Sequence, residues 1–198
     1  MSINIIDAKE ADLQSLSVVS AQAYYNDPLF GWMYPGDRIN LKFLFKLGLK
    51  HDFRYGVVHM GENFEGFASW VPYEKAFMST MDLLKNGFLS FIFSPGKSLK
   101  NILTYDKFVE ERHHHHANFP HWYLHNLAVS PAHQKKGIGS QLLAHSLARV
   151  DAQHLPSYLE TQNEKNVALY RRFGFEIVEK TKVPSTELDL WLMIRGKK

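Results

Sequence analysis

Residues Trp122 to Leu143 read WYLHNLAVSPAHQKKGIGSQLL, and the fold turns on this stretch. Trp122, Tyr123, Leu124, Leu127 and Val129 are apolar and β-prone, so the segment begins as a strand. Ser130-Pro131 ends it, because proline brings no ladder donor and biases its predecessor away from helix. After Gln134, Lys135, Lys136, Gly137, Ile138 and Gly139, apolar residues at Ile138, Leu142, Leu143 and Leu147 take up helical spacing. A strand therefore runs into a basic, glycine-bearing turn that opens directly into a helix. Such a turn is an anion site: the first N–H groups of a helix lack intrahelical partners, and the dipole places partial positive charge there. Gly137 and Gly139 keep Cβ atoms away from a phosphate, and Lys135 and Lys136 add formal charge. The expected ligand group is a pyrophosphate.

Two nucleotide readings fail at named positions. A dinucleotide fingerprint G-x-G-x-x-G would need its third glycine where Leu142 stands. A P-loop around Gly96-Lys97-Ser98 would need its first glycine where Phe91 stands. The stretch instead resembles the Q/R-x-x-G-x-G/A signature of the GNAT family of N-acetyltransferases, preceded by that family's L-A-V-x-P strand end, here Leu127-Ala128-Val129-Ser130-Pro131. LETQNEKNVALYRRFGFEIV, from Leu159 to Val178, resembles the second half of the same core. With DPLFGWMYP early in the chain and PHWYL before the glycine turn, the sequence is similar to puromycin N-acetyltransferase-like members of the family. The resemblance implies an α/β GNAT fold: a mixed sheet of about seven strands with a splayed parallel pair, flanked by helices. It implies acetyl-CoA as co-substrate and a small amine as acceptor. A peptide or protein acceptor, or a non-catalytic acyl-CoA sensor, is the alternative.

The chain has 198 residues, 45% hydrophobic and 14% aromatic, enough for one domain spanning 1–198 with a substantial core. Cysteine is absent, which excludes disulfides, thiolate metal sites and a cysteine nucleophile. A net charge of +3 is too small for a nucleic-acid surface. No window reaches the length of a membrane span, the N-terminus has no signal-peptide pattern, and a cytoplasmic location is expected.

Along the chain, Ile3 to Ile6 reads as a strand, and Leu13, Leu16, Val19 and Ala23 hold helical spacing. Asp27 to Pro35 reads as a turn-rich loop whose aromatics either pin it to the core or wall the acceptor pocket; the candidates are Phe30, Trp32 and Tyr34. Asn40 to Lys50 reads as a helix, and Tyr55 to Met60 with Glu65 to Val71 as a hairpin. A helical insertion at about 72–116 follows: an apolar run from Ala76 to Phe93, a break at Ser94-Pro95-Gly96, and a helix to about Arg112. It is free to supply an acceptor wall or a homodimer contact. His113 to His116 reads as an exposed polar tract without the carboxylate spacing of a metal site. Ser157 to Thr161 is a strand parallel to its predecessor, Asn163 caps a helix that Gly174 ends, and two closing strands join around Pro184.

Acetyl transfer to an amine asks for a base, an oxyanion site and an acid for the leaving thiolate. The family's tyrosine in N-x-x-x-Y matches Tyr170, the expected general acid, with Asn166 on the same helix face. His125 and Glu160 compete as base. Strict alternation places His125 with Leu127 and Val129 on one face of the strand, and Glu160 lies at the carboxyl end of a parallel strand. Y-L-H-N-L-A-V also resembles H-L-H-A-L-A-V of serotonin N-acetyltransferase-type members, with Tyr123 in place of their first histidine. The resemblance further implies that the backbone of Leu127, Ala128 and Val129 pairs with the pantetheine arm. Gln134, Lys135, Lys136, Gly137, Ile138, Gly139 and Ser140 would hold the pyrophosphate, with Asn163 and Asn166 nearby.

Overall fold

The computed structural model describes residues 2–35, 41–86 and 96–198. Seven strands form one mixed sheet: β1 (Ile5–Asp7), β2 (Val57–Gly61), β3 (Gly66–Pro72), β4 (Trp122–Val129), β5 (Ser157–Thr161), β6 (Glu176–Lys182) and β7 (Asp189–Arg195). Their order across the sheet is β1-β2-β3-β4-β5-β7-β6. Every neighbouring pair is antiparallel except β4 and β5, which run parallel because a helix connects them. The helices are α1 (Leu13–Ala23), α2 (Pro28–Met33), α3 (Leu41–Tyr55), α4 (Thr80–Asn86), α5 (Gly96–His116), α6 (Ile138–Asp151) and α7 (Glu164–Arg172).

Burial divides the molecule into layers. Leu142, Leu143, Leu147 and Val150 of α6 and Val167 and Tyr170 of α7 pack with Trp122, Leu124 and Leu159 on one sheet face. On the other face, α1 and α3 cover Val58, Met60 and Phe67, while α2, α3 and α5 cover Tyr123 and Tyr158. Arg195, only 3% exposed, ties the far end together. It grips Asp151 at the end of α6 through two bonds of 2.5 and 2.9 Å and donates to the carbonyl of Phe173 at 2.8 Å.

Several elements depart from their expected form. Asp27 to Pro35 is not a loop: Asp27 Oδ1 accepts from the Leu29 amide at 2.8 Å and Pro28 fills the first helical position, so α2 forms. α3 continues to Tyr55 because its apolar stripe does. In the insertion, a short 3-10 turn at Tyr73–Lys75 precedes α4, and α5 runs on through the histidines instead of ending near Arg112. The second half of the Ala76–Phe93 run and the Ser94-Pro95 break lie outside the described residues.

The histidine tract is correspondingly exposed only in part, at His114 and His115. His113 is fully buried and His121 is 1% exposed. Their Nε2 atoms meet at 3.0 Å, and His121 Nδ1 lies 2.7 Å from the Phe119 carbonyl. His121 therefore donates from Nδ1 and accepts at Nε2, so His113 donates from Nε2. His116 binds Glu179 of β6 at 2.6 Å, while His114 and His115 are exposed. Helical periodicity decides this: His113 lies four residues beyond Val109, which is buried.

Candidate active site

β4 and β5 pair only at their first residues, Trp122 with Ser157 and Tyr123 with Tyr158. From Leu124 onward the two parallel strands separate. The cause is visible in the other neighbour of β4. Opposite Ser69 stands Asn126 and opposite Trp70 stands Leu124, so His125 is an extra residue, a β-bulge. A bulge bends and overtwists its strand, and here that happens where β4 leaves β5.

The bulge also corrects the strand's facing. His125 does not share a face with Leu127 and Val129. It packs with Tyr123 (ring centroids 5.6 Å apart) and with Asp52 and His51 of α3, whereas Leu127 and Val129 lie against the α6/α7 cluster. One inserted residue reverses the alternation for everything before it relative to everything after it.

The gap between the strands is a cavity of about 70 Å³ lined by Tyr24, Asp27, Leu124 to Leu127, Glu160 to Asn163, Asn166 and Tyr170. The structure thus brings His125, Glu160, Asn163, Asn166 and Tyr170 to one place, from β4, β5 and α7. Tyr170 is held by the end of its helix. Phe175 donates to the Tyr170 carbonyl at 3.2 Å and Gly174, at φ 89°, donates to Arg171 at 3.0 Å, a Schellman motif. Burial holds the Tyr170 phenol protonated well above the ordinary tyrosine range. Asn163 caps α7, its Oδ1 accepting from the Lys165 amide at 3.0 Å. The Asn166 amide donates to Thr161 Oγ1 at 3.5 Å.

Glu160 receives the Tyr123 hydroxyl on Oε2, while its buried Oε1 has no hydrogen-bond partner. Burial pushes the carboxyl up to about 7, against the opposing pull of the Tyr123 and Tyr158 hydroxyls and of His125. His125 Nδ1 lies 2.5 Å from Oδ1 of Asp52, which is 1% exposed. Burial pulls the imidazole down, but Asp52, Glu160 and Asp106 together outweigh it and hold the imidazole above its ordinary range. A second phenol enters from α1. Tyr24 Oη lies 3.0 Å from both Asn126 Oδ1 and the Leu127 carbonyl, so its proton is committed to β4.

Asp52 and Tyr24 escaped the sequence reading. Asp52 was findable, since it lies three residues beyond Leu49 and seven beyond Phe45, an acid on an apolar stripe. Tyr24 carried no such signal. Of the aromatic residues of α2 and its C-cap, Tyr34 is 1% exposed and belongs to the core, and Phe30 and Trp32 pack against the same cluster; none of the three is among the residues lining this cavity.

Beyond the cavity, the loop from Gln134 to Gly137 is exposed while Ile138 turns into the core. Lys135 and Gly137 both take left-handed backbone, φ 60° and 77°. Gly137 is the N-cap of α6 with no side-chain cap, and a Cβ built on it would meet nothing within 4 Å. Gln134 Nε2 donates to the Val129 carbonyl at 3.1 Å, tying the loop to the end of β4.

Residues 102–175 match the model of the Acetyltransferase (GNAT) family. That segment contains β4, the bulge, the turn, α6, β5 and α7. Over this segment the chain is similar to the GNAT family. It is 34% identical over 74 residues to an uncharacterized protein of Mycobacterium leprae, a match covering 36% of this chain and 21% of that relative. Among solved structures it is similar to a Corynebacterium glutamicum protein described as a histone acetyltransferase and related acetyltransferase. The identity is 24%, the match covers 100% of this chain and 98% of that one, and the TM-score is 0.68. It is also similar to a mosquito arylalkylamine N-acetyltransferase-like protein, with 14% identity, 98% and 99% coverage and a TM-score of 0.61. At such identities the two structures attest the GNAT fold alone.

Proposed function

We propose that this chain transfers an acetyl group from acetyl-CoA to the primary amine of a small molecule by direct attack. The observation that carries the reading is the divergence of β4 from β5, which opens a cavity lined by His125, Glu160 and Tyr170 beside an exposed glycine turn. The residues fit the co-substrate. The space at Gly137 is open and its backbone is left-handed, as a phosphate cradle requires. The backbone of Leu127, Ala128 and Val129 would hold the pantetheine arm, the Val129 amide would face the thioester carbonyl, and the amides of Lys136 to Ser140 would take the diphosphate. Acetyl-CoA supplies the activated acyl group.

In this reading, His125 removes the proton from the acceptor ammonium, and Glu160, through the unpartnered Oε1, holds that ammonium in place. Tyr170 Oη returns a proton on the leaving side, a role open to it and not to Tyr24, whose hydroxyl already donates its hydrogen bond to β4. A small acceptor is favoured because the acceptor side is closed over by α5. Asn101 donates to the Trp32 carbonyl at 2.7 Å, and Gln162 bonds Tyr105.

The test is free-thiol release from acetyl-CoA with aminonucleosides, arylalkylamines, polyamines and short peptides. Turnover confined to small amines supports the proposal. CoA binding with no thiol release for any acceptor overturns it in favour of a non-catalytic acyl-CoA sensor.

A further inference from the structure

We infer that Asp52, on α3, is a positioning residue that fixes which nitrogen of His125 carries the proton and so leaves Nε2 as the basic nitrogen toward the cleft. This rests on the reading of His125 as the base, and it rests physically on geometry. Asp52 is 1% exposed and its Oδ1 stands 2.5 Å from His125 Nδ1. Among the described residues no lysine or arginine pairs with it. A carboxylate buried without a cation or a donor is expensive, so the contact is satisfied only with a proton between the two atoms. In the neutral imidazole that proton is on Nδ1, and the lone pair is on Nε2. The opposite tautomer would set a lone pair against the carboxylate.

The neighbouring histidine does not replace this partner. His51 Nε2 bonds the Lys75 carbonyl at 2.7 Å, and its ring centroid is 6.3 Å from that of His125. The groups facing His125 are Asp52 and His51 from α3, Tyr123 from its own strand, Glu160 from β5 and Asp106 from α5. Asp52 alone among them is hydrogen-bonded to it. The arrangement follows the logic by which an aspartate behind a histidine orients the ring and stabilises its protonated form. The bulge lets Tyr123 and His125 face α3 and α5 while Leu127 and Val129, farther along the same strand, face α6 and α7.

Nitrogen-15 to proton long-range correlation spectra of histidine-labelled protein test this without depending on activity. The signal of His125 among the 11 histidines is the one lost in His125→Gln. The neutral form should be protonated on Nδ1, with a midpoint above the ordinary histidine value. In Asp52→Asn the carboxamide can present its NH₂ to Nδ1, so the Nε2-protonated form should appear and the midpoint should move down. Turnover of that variant at pH 7 should fall about tenfold or more, with acetyl-CoA affinity within about twofold of wild type. A wild-type imidazole protonated on Nε2 overturns the inference. So does an Asp52→Asn protein whose His125 tautomer and midpoint are unmoved. Should the variant not fold, the wild-type tautomer alone decides. Should the tautomer be as stated while no amine yields thiol, the acetyltransferase reading falls and the Asp52–His125 pairing stands.

Discussion

At position 137 two demands fall on one residue. The backbone is left-handed at φ 77°, which costs any non-glycine about 1–2 kcal/mol, and the space above the Cα is open. Gly137→Val should therefore fold yet bind acetyl-CoA at least about tenfold more weakly by calorimetry; unchanged binding would mean the diphosphate lies elsewhere. Tyr170 offers a cleaner separation, because phenylalanine can keep the edge contact with Phe175, whose ring is 5.9 Å away. Tyr170→Phe should lower kcat about tenfold to hundredfold while leaving acetyl-CoA affinity intact. A wild-type kcat would remove Tyr170 from the chemistry. His125 and Glu160 separate by pH–rate profile. His125→Gln should abolish the acidic limb, whereas Glu160→Gln should keep that limb and raise the acceptor KM; the reverse pattern would exchange their roles.

The helix α5 and the strand β4 meet through the His113–His121 pair, and the pair makes that junction sensitive to acid. Burial holds His113 down to about 3 and lowers His121 as well, because an apolar cage disfavours a charged ring, and a proton on His121 Nε2 would also break their mutual bond. An unfolded chain binds those protons near the ordinary histidine value of 6.5. The unfolded state therefore gains protons first, and stability should decline as pH falls below about 6.5 and continue to decline toward about 3. Glu160, raised to about 7, works in the opposite direction over the upper part of that window. The pair's share is isolated by comparing urea midpoints at pH 7 and pH 5 in wild type and in a His113→Leu/His121→Leu variant. The loss between the two pH values should be smaller in the variant; an equal loss would place the acid sensitivity elsewhere.

Across the whole molecule, the sheet leaves one seam open, between β4 and β5, and the proposed co-substrate would bridge it. Acetyl-CoA at about a hundred times its Kd should add about 2.7 kcal/mol, or roughly 5–11 °C in Tm for a chain of this size. Gly137→Val should lose most of that shift, and an equal shift in both proteins would detach the ligand from the seam. The seam's two banks were legible in the amino-acid sequence because they are local. A strand broken by Ser130-Pro131, a turn with Gly137 and a helix with period-3.6 apolar residues each follow from neighbours in the chain. The Asn163 cap and the Gly174 stop of α7 follow for the same reason. Facing and partnership did not follow. The bulge at His125 exists only as a mismatch of register between β4 and β3, and no residue type announces it. Asp52, 73 positions earlier in the chain, becomes its partner only when α3 packs across the sheet. His113 is buried for a similar reason, its place on α5 being set by what the helix covers. Sequence determined the elements and the residue types available to the chemistry, because hydrophobic period, caps and breakers act within a few residues. Tertiary structure decided which of those residues touch, because register and packing are settled by side chains far apart in the chain that must fit one another at once.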